Sequence, residues 1–320
     1  MNLQIQIPLS PAKPQIDYTS KVVLLGSCFT ENIGGKLAYF KFQNVQNPFG
    51  VIFNPVSLEN LALRALHEDF FTEEDVFRHN GLWHCFDVHS SLSELDKASF
   101  LNGLNLQLKT FKEHLFSASH IVITLGSAWV YWHLKTNMLV ANCHKIPQQE
   151  FRKELLSVET ISKSLESLLS AIQKVNPTVT FIFTVSPVRH IKDGFVENMV
   201  SKAHLISAIH KILDLSLRAQ SRSLHYFPSF EIVMDELRDY RFYAKDMLHP
   251  NETAIDYIWE KFKTVWIDAK TEALQKKIDT IQKSLLHKSF HPESEEYLKF
   301  NAMLHSKIEE VQKQLPYITF

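Results

Sequence analysis

Three unbroken, mostly apolar runs set the frame for this chain: residues 22–25 (Val-Val-Leu-Leu), 121–125 (Ile-Val-Ile-Thr-Leu) and 179–185 (Val-Thr-Phe-Ile-Phe-Thr-Val). They are continuous rather than alternating and rich in β-branched residues, the pattern of strands buried on both faces. Segments of helical periodicity lie between and after them, at 30–40, 56–68, 92–117, 157–175, 200–218 and 251–266. Shorter runs at 42–45 and 224–227 supply a second and a fifth strand. Strands separated by helices at this spacing predict a parallel sheet covered on both faces, a three-layer α/β/α sandwich of the flavodoxin type.

Each buried run ends in small polar residues: Gly26-Ser27, Gly126-Ser127 and Ser186-Pro187. Open α/β sheets keep their chemistry at that end. Glycine before serine lets the backbone turn sharply, so the Ser27 hydroxyl projects from the strand while the amides of the next helix can face an anion. A strand-to-helix turn capped by Ser or Thr gives the same local pattern, with Thr30 as cap of the helix from 30 to 40. The discriminating stretch lies far downstream, at Asp246-Met247-Leu248-His249-Pro250. An acid and a histidine three residues apart let the carboxylate orient one ring nitrogen while the other faces a nucleophile.

Two insertions interrupt the α/β alternation. Asn80-Gly81 between short strand-like runs is a two-residue hairpin signal. Residues 129–141 alternate through Val130, Trp132 and Leu134 and resume at Leu139 after a polar break, which predicts a second hairpin. Residues 1–20 carry three prolines and alternating Leu3, Ile5 and Ile7, an extended lead-in with the pattern of an edge strand. Beyond residue 266 the apolar positions Ile267, Leu274, Ile278, Ile281 and Leu285, then Leu304, Ile308, Val311 and Leu315, step at heptad-like intervals. The segment from Phe290 to Ser294 breaks that pattern, so a C-terminal helical hairpin is expected. Two amphipathic helices are not stable alone in water, so the pair must pack on the body or on another copy, making a homo-oligomer through these helices an expectation. The division is thus an α/β domain over 1–266 and a helical extension over 267–320.

Composition narrows the functional classes. The 34 basic and 35 acidic side chains nearly cancel, so no basic field points to nucleic acid. No apolar stretch has the length of a membrane span, and the N-terminus lacks the basic start and apolar run of a signal peptide, so a cytoplasmic location is the default expectation. Cys28, Cys85 and Cys143 are too few and too widely spaced for a disulfide framework or a four-cysteine zinc site. His79, His84, His89 and His144 come without an HExxH or paired Cys-x-x-Cys pattern, so neither metal nor cofactor is expected.

Gly26-Ser27-Cys28-Phe29-Thr30 nearly spells the name of a family that the chain resembles, the GSCFA family of the SGNH, or GDSL, hydrolase superfamily. The likeness continues through the segments 47–55, 124–129, 142–147, 186–190 and 235–243, and through Asp246 and His249. The resemblance implies an ester hydrolase with Ser27 as nucleophile, His249 as general base and Asp246 as the residue that orients the imidazole. The superfamily takes its oxyanion donors from the amide of the serine turn, a glycine after the second strand and an asparagine after the third. These map to Ser27, Gly50 and a departure: the chain reads Gly126-Ser127-Ala128-Trp129, without the asparagine. Ser127, Asn47 and Asn142 are the candidate replacements for a donor whose loss costs about 3 kcal/mol. Trp129 is a candidate sugar-stacking surface and Arg189 a candidate grip for a carboxylate or phosphate, although core packing and loop-holding ion pairs recruit the same residue types. Cys28 beside Ser27 reads as a small buried side chain rather than a nucleophile. The implied substrate is a carbohydrate or small-molecule ester bearing an O-acyl group, acetyl foremost. Acyl transfer by the same triad and a non-catalytic binding module on the same fold are the alternatives.

Overall fold

The computed structural model describes residues 4–218, 223–287, 291 and 293–320. In chain order its first elements are β1 (Val22–Gly26), α1 (Cys28–Tyr39), β2 (Asn44–Gln46) and α2 (Pro55–His67). The inserted hairpin β3 (Val76–His79) and β4 (Leu82–Cys85) follows, then α3 (Lys97–Ser117) and β5 (His120–Leu125). After β5 come β6 (Trp129–His133), β7 (Met138–Val140), β8 (Phe151–Leu155) and α4 (Val158–Val175). The chain continues with β9 (Thr180–Val185), α5 (Phe195–Arg218), β10 (Leu224–Tyr226), the short α6 (Ser229–Glu231), α7 (Glu252–Trp266), α8 (Glu272–Leu285) and α9 (Glu295–Gln314).

Five strands form one parallel sheet in the order β10-β9-β5-β1-β2. From β1 the chain winds outward to β2, then returns to place β5 on the other side of β1. The order therefore reverses between β1 and β5, and a crevice at the carboxyl ends of those two strands is the expected ligand position in such a sheet. Successive residues face opposite layers. Val23, Leu25, Ile121, Ile123, Phe181 and Phe183 pack with α2 to α5 in one core. Val22, Leu24, Val122 and Ile182 pack with α1 and α7 in the other. This is the three-layer α/β/α architecture that the continuous apolar runs predict.

The C-terminal helices continue the second core. Ile278 and Ile281 of α8 and Leu304 and Val311 of α9 join Trp266 and the side chains of α1 and α7, each such burial contributing about 1.5–3 kcal/mol. Tyr39 Oη donates to Asp279 Oδ1 at 2.8 Å, and Gln282 Nε2 donates to Tyr39 O at 3.0 Å, fixing α8 on α1. Two residues of the expected break, Phe290 and Pro292, lie outside the described residues.

Three local expectations are corrected. Among its described residues the lead-in forms no edge strand: the pairing there is a single bridge from Ile16 to Ile267, and amides turn to α7, as in Ala12 N to Val265 O at 2.9 Å. The second hairpin carries a third strand, since β8 pairs antiparallel with β6. And α1 is capped by Ser27, with Thr30 already in the first turn, its hydroxyl on Leu25 O.

Candidate active site

Ser27 stands at the reversal point. Gly26 closes β1 with φ +133°, and a Cβ there would lie 2.1 Å from Thr124 O, so only glycine admits this approach of β1 to β5. Ser27 then turns into α1. Its amide donates to Thr124 O at 3.0 Å, its carbonyl accepts from Thr30 N at 2.8 Å, and its Oγ accepts from Phe29 N at 3.3 Å. The side chain is 1% exposed.

The loop after β2 is tied to the same turn. Asn47, at φ 41°, donates its amide to Leu24 O at 2.9 Å and accepts the Gly26 amide on Oδ1 at 2.9 Å. Its Nδ2 is buried with no partner. Gly50 N donates to Asn47 O at 2.8 Å, Ile52 N to Gly26 O at 3.1 Å and Gly126 N to Phe53 O at 2.8 Å. The loop thus bridges the ends of β1 and β5. The amides of Ser27 and Gly50, both expected as oxyanion donors, are engaged by backbone carbonyls, and the donor left free beside Gly26 is the Asn47 side-chain amide.

Asp246 and His249 come together at the end of the chain's last loop before α7. Asp246 Oδ1 accepts the amides of Leu248 (2.9 Å) and His249 (3.1 Å), and Oδ2 accepts from His249 Nδ1 at 2.6 Å. Those amides, then the ring, push the carboxyl down to about 2. The carboxylate holds the ring with its proton on Nδ1, leaving Nε2 as the free nitrogen, and the imidazole is half-exposed. Arg189 N donates to Leu248 O at 3.2 Å and Ala244 N to His249 O at 2.8 Å, so the loop is pinned to the segment that follows β9. Among the described residues no hydrogen bond joins Ser27 Oγ to the His249 ring.

The remaining candidates are held elsewhere. Ser127 Oγ meets Ser201 Oγ at 3.2 Å and accepts from Trp129 N at 3.0 Å, so it serves the junction of β5 with α5. Trp129 Nε1 donates to Glu197 O at 3.3 Å, and Lys153 Nζ covers its ring at 4.3 Å. Asn142 Oδ1 accepts from His144 N at 2.8 Å in a turn beside Phe86.

Sequence reasoning missed Lys202, His190 and Asn198. Lys202 is 1% exposed, and its Nζ donates to Gly126 O and Ser186 O at 2.7 Å each, clamping the ends of β5 and β9 together. Burial pushes its pKa down to about 7. The His190 ring stacks on Phe53 at 5.4 Å, and its amide donates to Asn198 Oδ1 at 2.8 Å. Its Nε2 and the Asn198 Nδ2 are buried without partners. Burial, then the Lys202 charge, pushes the His190 imidazole down to about 4. A signal was present: Asn198, Ser201, Lys202, Leu205, Ala208, Ile209 and Ile212 form one buried stripe of α5, and a lysine on such a stripe needs a polar partner.

The model of the GSCFA family matches residues 21–262, which span β1 through most of α7 and include Ser27, Asp246 and His249. The chain belongs to the GSCFA family. A second model, the C-terminal domain of GSCFA domain proteins, matches residues 278–320, the helical pair. No curated protein matches this GSCFA chain in sequence. Among solved structures it is similar to a carbohydrate esterase family 3 protein from Talaromyces cellulolyticus, at 10% identity and a TM-score of 0.36, covering 80% of this chain and 98% of the other. It is also similar to an acetyl xylan esterase from the rumen bacterium Butyrivibrio proteoclasticus, at 11% identity and a TM-score of 0.31, covering 84% and 65%.

Within this GSCFA protein the thiols are poorly disposed to react. Burial, then Glu31, raises the Cys28 thiol, and burial pushes Cys143 up to about 11, so neither favours the thiolate. His84 of the inserted hairpin and His144, whose ring packs beside it, are held by neighbours: His84 by Ser93 Oγ (2.6 Å) and His79 O (3.1 Å), His144 by Cys85 O (2.7 Å). No group of three metal-ligating side chains occurs among the described residues.

Proposed function

We propose that this GSCFA protein is a serine ester hydrolase of the SGNH type that removes an O-acyl group, acetyl foremost, from a carbohydrate or small-molecule ester. The observation that carries the reading is the Asp246–His249 pair, a 2.6 Å bond that fixes the imidazole tautomer, on a loop tied to the carboxyl end of the same sheet as the Ser27 turn. In this reading Ser27 Oγ gives up the Phe29 amide, a cap bond worth about 1 kcal/mol, and attacks the acyl carbonyl. His249 Nε2 takes the serine proton and returns it to the leaving alcohol; Asp246 stabilises the imidazolium. Water repeats the sequence on the acyl-serine, and an alcohol in its place turns hydrolysis into transfer. Asn47 Nδ2 is the donor proposed for the oxyanion, in place of the missing asparagine after β5.

A second reading, a non-catalytic binding module, is favoured by one observation: the Ser27 and Gly50 amides are both engaged and the Ser27 hydroxyl is buried. A fluorophosphonate probe separates the two. Labelling of the native chain and of Cys28→Ala, lost in Ser27→Ala, supports the hydrolase. No labelling at neutral pH overturns it in favour of the binding module.

A further inference from the structure

A cavity of about 410 Å³ opens beside the Asp246 loop, a size that suits a small ligand. Its polar wall holds two guanidinium groups, Arg189 and Arg238, and neither has a carboxylate within ion-pair distance among the described residues. Arg189 is partly buried; Nη1 reaches the Met234 sulfur at 3.8 Å, the guanidinium also bonds the Tyr243 side chain, and Nε is buried without a partner. The acids on the same wall are already used: Asp239 faces Arg241 at 3.8 Å, and Asp246 holds His249. A partly buried guanidinium whose Nε lacks a partner gains from an anion, and its planar donor fork matches a carboxylate or phosphate. The rest of the lining is aliphatic, thioether or aromatic, including the phenols of Tyr240 and Tyr243, and Phe195 and Tyr240 stand 67% and 76% exposed at the rim.

We propose that this cavity binds an anionic group, a carboxylate or phosphate, carried on an apolar or aromatic body, with Arg189 as the anchoring residue. Calling that ligand the substrate rests on the hydrolase reading; the binding itself does not. Arg189 N is bonded to Leu248 O, the residue before His249, so an anion held there fixes its carrier against the loop that presents the imidazole. The substrate class is then an acyl ester bearing a negative charge.

Calorimetric titration of the full chain with two anions, 4-acetamidobenzoate and phenyl phosphate, and with the uncharged 4-acetamidobenzamide tests this without any turnover. At least one anion binds tenfold or more tightly than the neutral amide, more weakly at high salt, and the stronger of the two identifies the anion. Arg189→Met lowers that affinity tenfold or more, and Arg189→Lys retains part of it. Equal affinity for charged and uncharged probes, no anion binding at millimolar concentration, or full affinity in Arg189→Met overturns the proposal; the comparison on the native chain needs no variant to fold. Fluorophosphonate labelling in parallel keeps the two readings apart. Anion binding without labelling removes the hydrolase and leaves the site, whereas labelling without anion binding does the reverse.

Discussion

Asn47 Oδ1 accepts the amide hydrogen of Gly26 at 2.9 Å, and through that bond the loop after β2 holds the turn that presents Ser27. Its oxygen braces the turn, while its buried Nδ2 has no partner and is the donor proposed for the oxyanion. Asn47→Ala removes both, leaving the Gly26 amide unpaired at about 1–3 kcal/mol of stability. Asn47→Asp keeps the acceptor and removes the donor. It is expected to unfold near the native denaturant midpoint while losing about 10²–10³-fold in kcat. Equal kcat in native chain and Asn47→Asp rules out the oxyanion role.

Gly26→Ala is expected to cost about 3 kcal/mol or more, read as a drop in thermal midpoint. The cause is steric: a Cβ meets Thr124 O at 2.1 Å at a φ that L-residues rarely adopt. A near-native midpoint contradicts the close approach of β1 to β5.

Asp246→Asn leaves a hydrogen-bonding side chain but removes the charge that fixes the His249 tautomer. Labelling at Ser27 is expected to slow roughly 10²–10⁴-fold at neutral pH with the fold intact. In the native chain Asp246, held down to about 2, stays ionised across the working range. A variant that labels at the native rate contradicts the triad.

Lys202 gives the fold a pH dependence whose sign is fixed by burial. The folded side chain loses its proton near 7, the unfolded one near 10.4. Between those values the unfolded state binds more protons, so stability rises with pH in that window and is lost as pH falls towards 7, by up to about 1.4 kcal/mol per pH unit. The difference in unfolding free energy between native chain and Lys202→Met is therefore expected to grow from pH 7 to pH 9, which isolates Lys202 from cysteines and tyrosines common to both. A flat or falling difference contradicts the lowering of the Lys202 pKa by burial at the strand ends.

Much of the architecture was legible because burial on both faces leaves continuous apolar runs at β1, β5 and β9. The Asn80-Gly81 turn and the Asp246–His249 pair were legible for a similar reason: both are local, their geometry set within four residues. What escaped depends on distant partners. The β8 sequence Phe-Arg-Lys-Glu-Leu is polar because its middle lies exposed on the small sheet, so it carries no apolar signal. The cap of α1 moved from Thr30 to Ser27 because the turn needed by Gly26 starts the helix at once. Lys202 was hidden in a helix, its partners being carbonyls 76 and 16 residues away.

Whether Ser27 carries an acyl group during turnover is decided by mixing the chain with excess p-nitrophenyl acetate, following the first turnover and mapping the quenched protein by mass. The expected result is a burst of nitrophenol near one equivalent and a single added acetyl on the peptide containing Ser27, absent in Ser27→Ala. Release without a burst and with no adduct, or an acetyl found on Cys28, contradicts it.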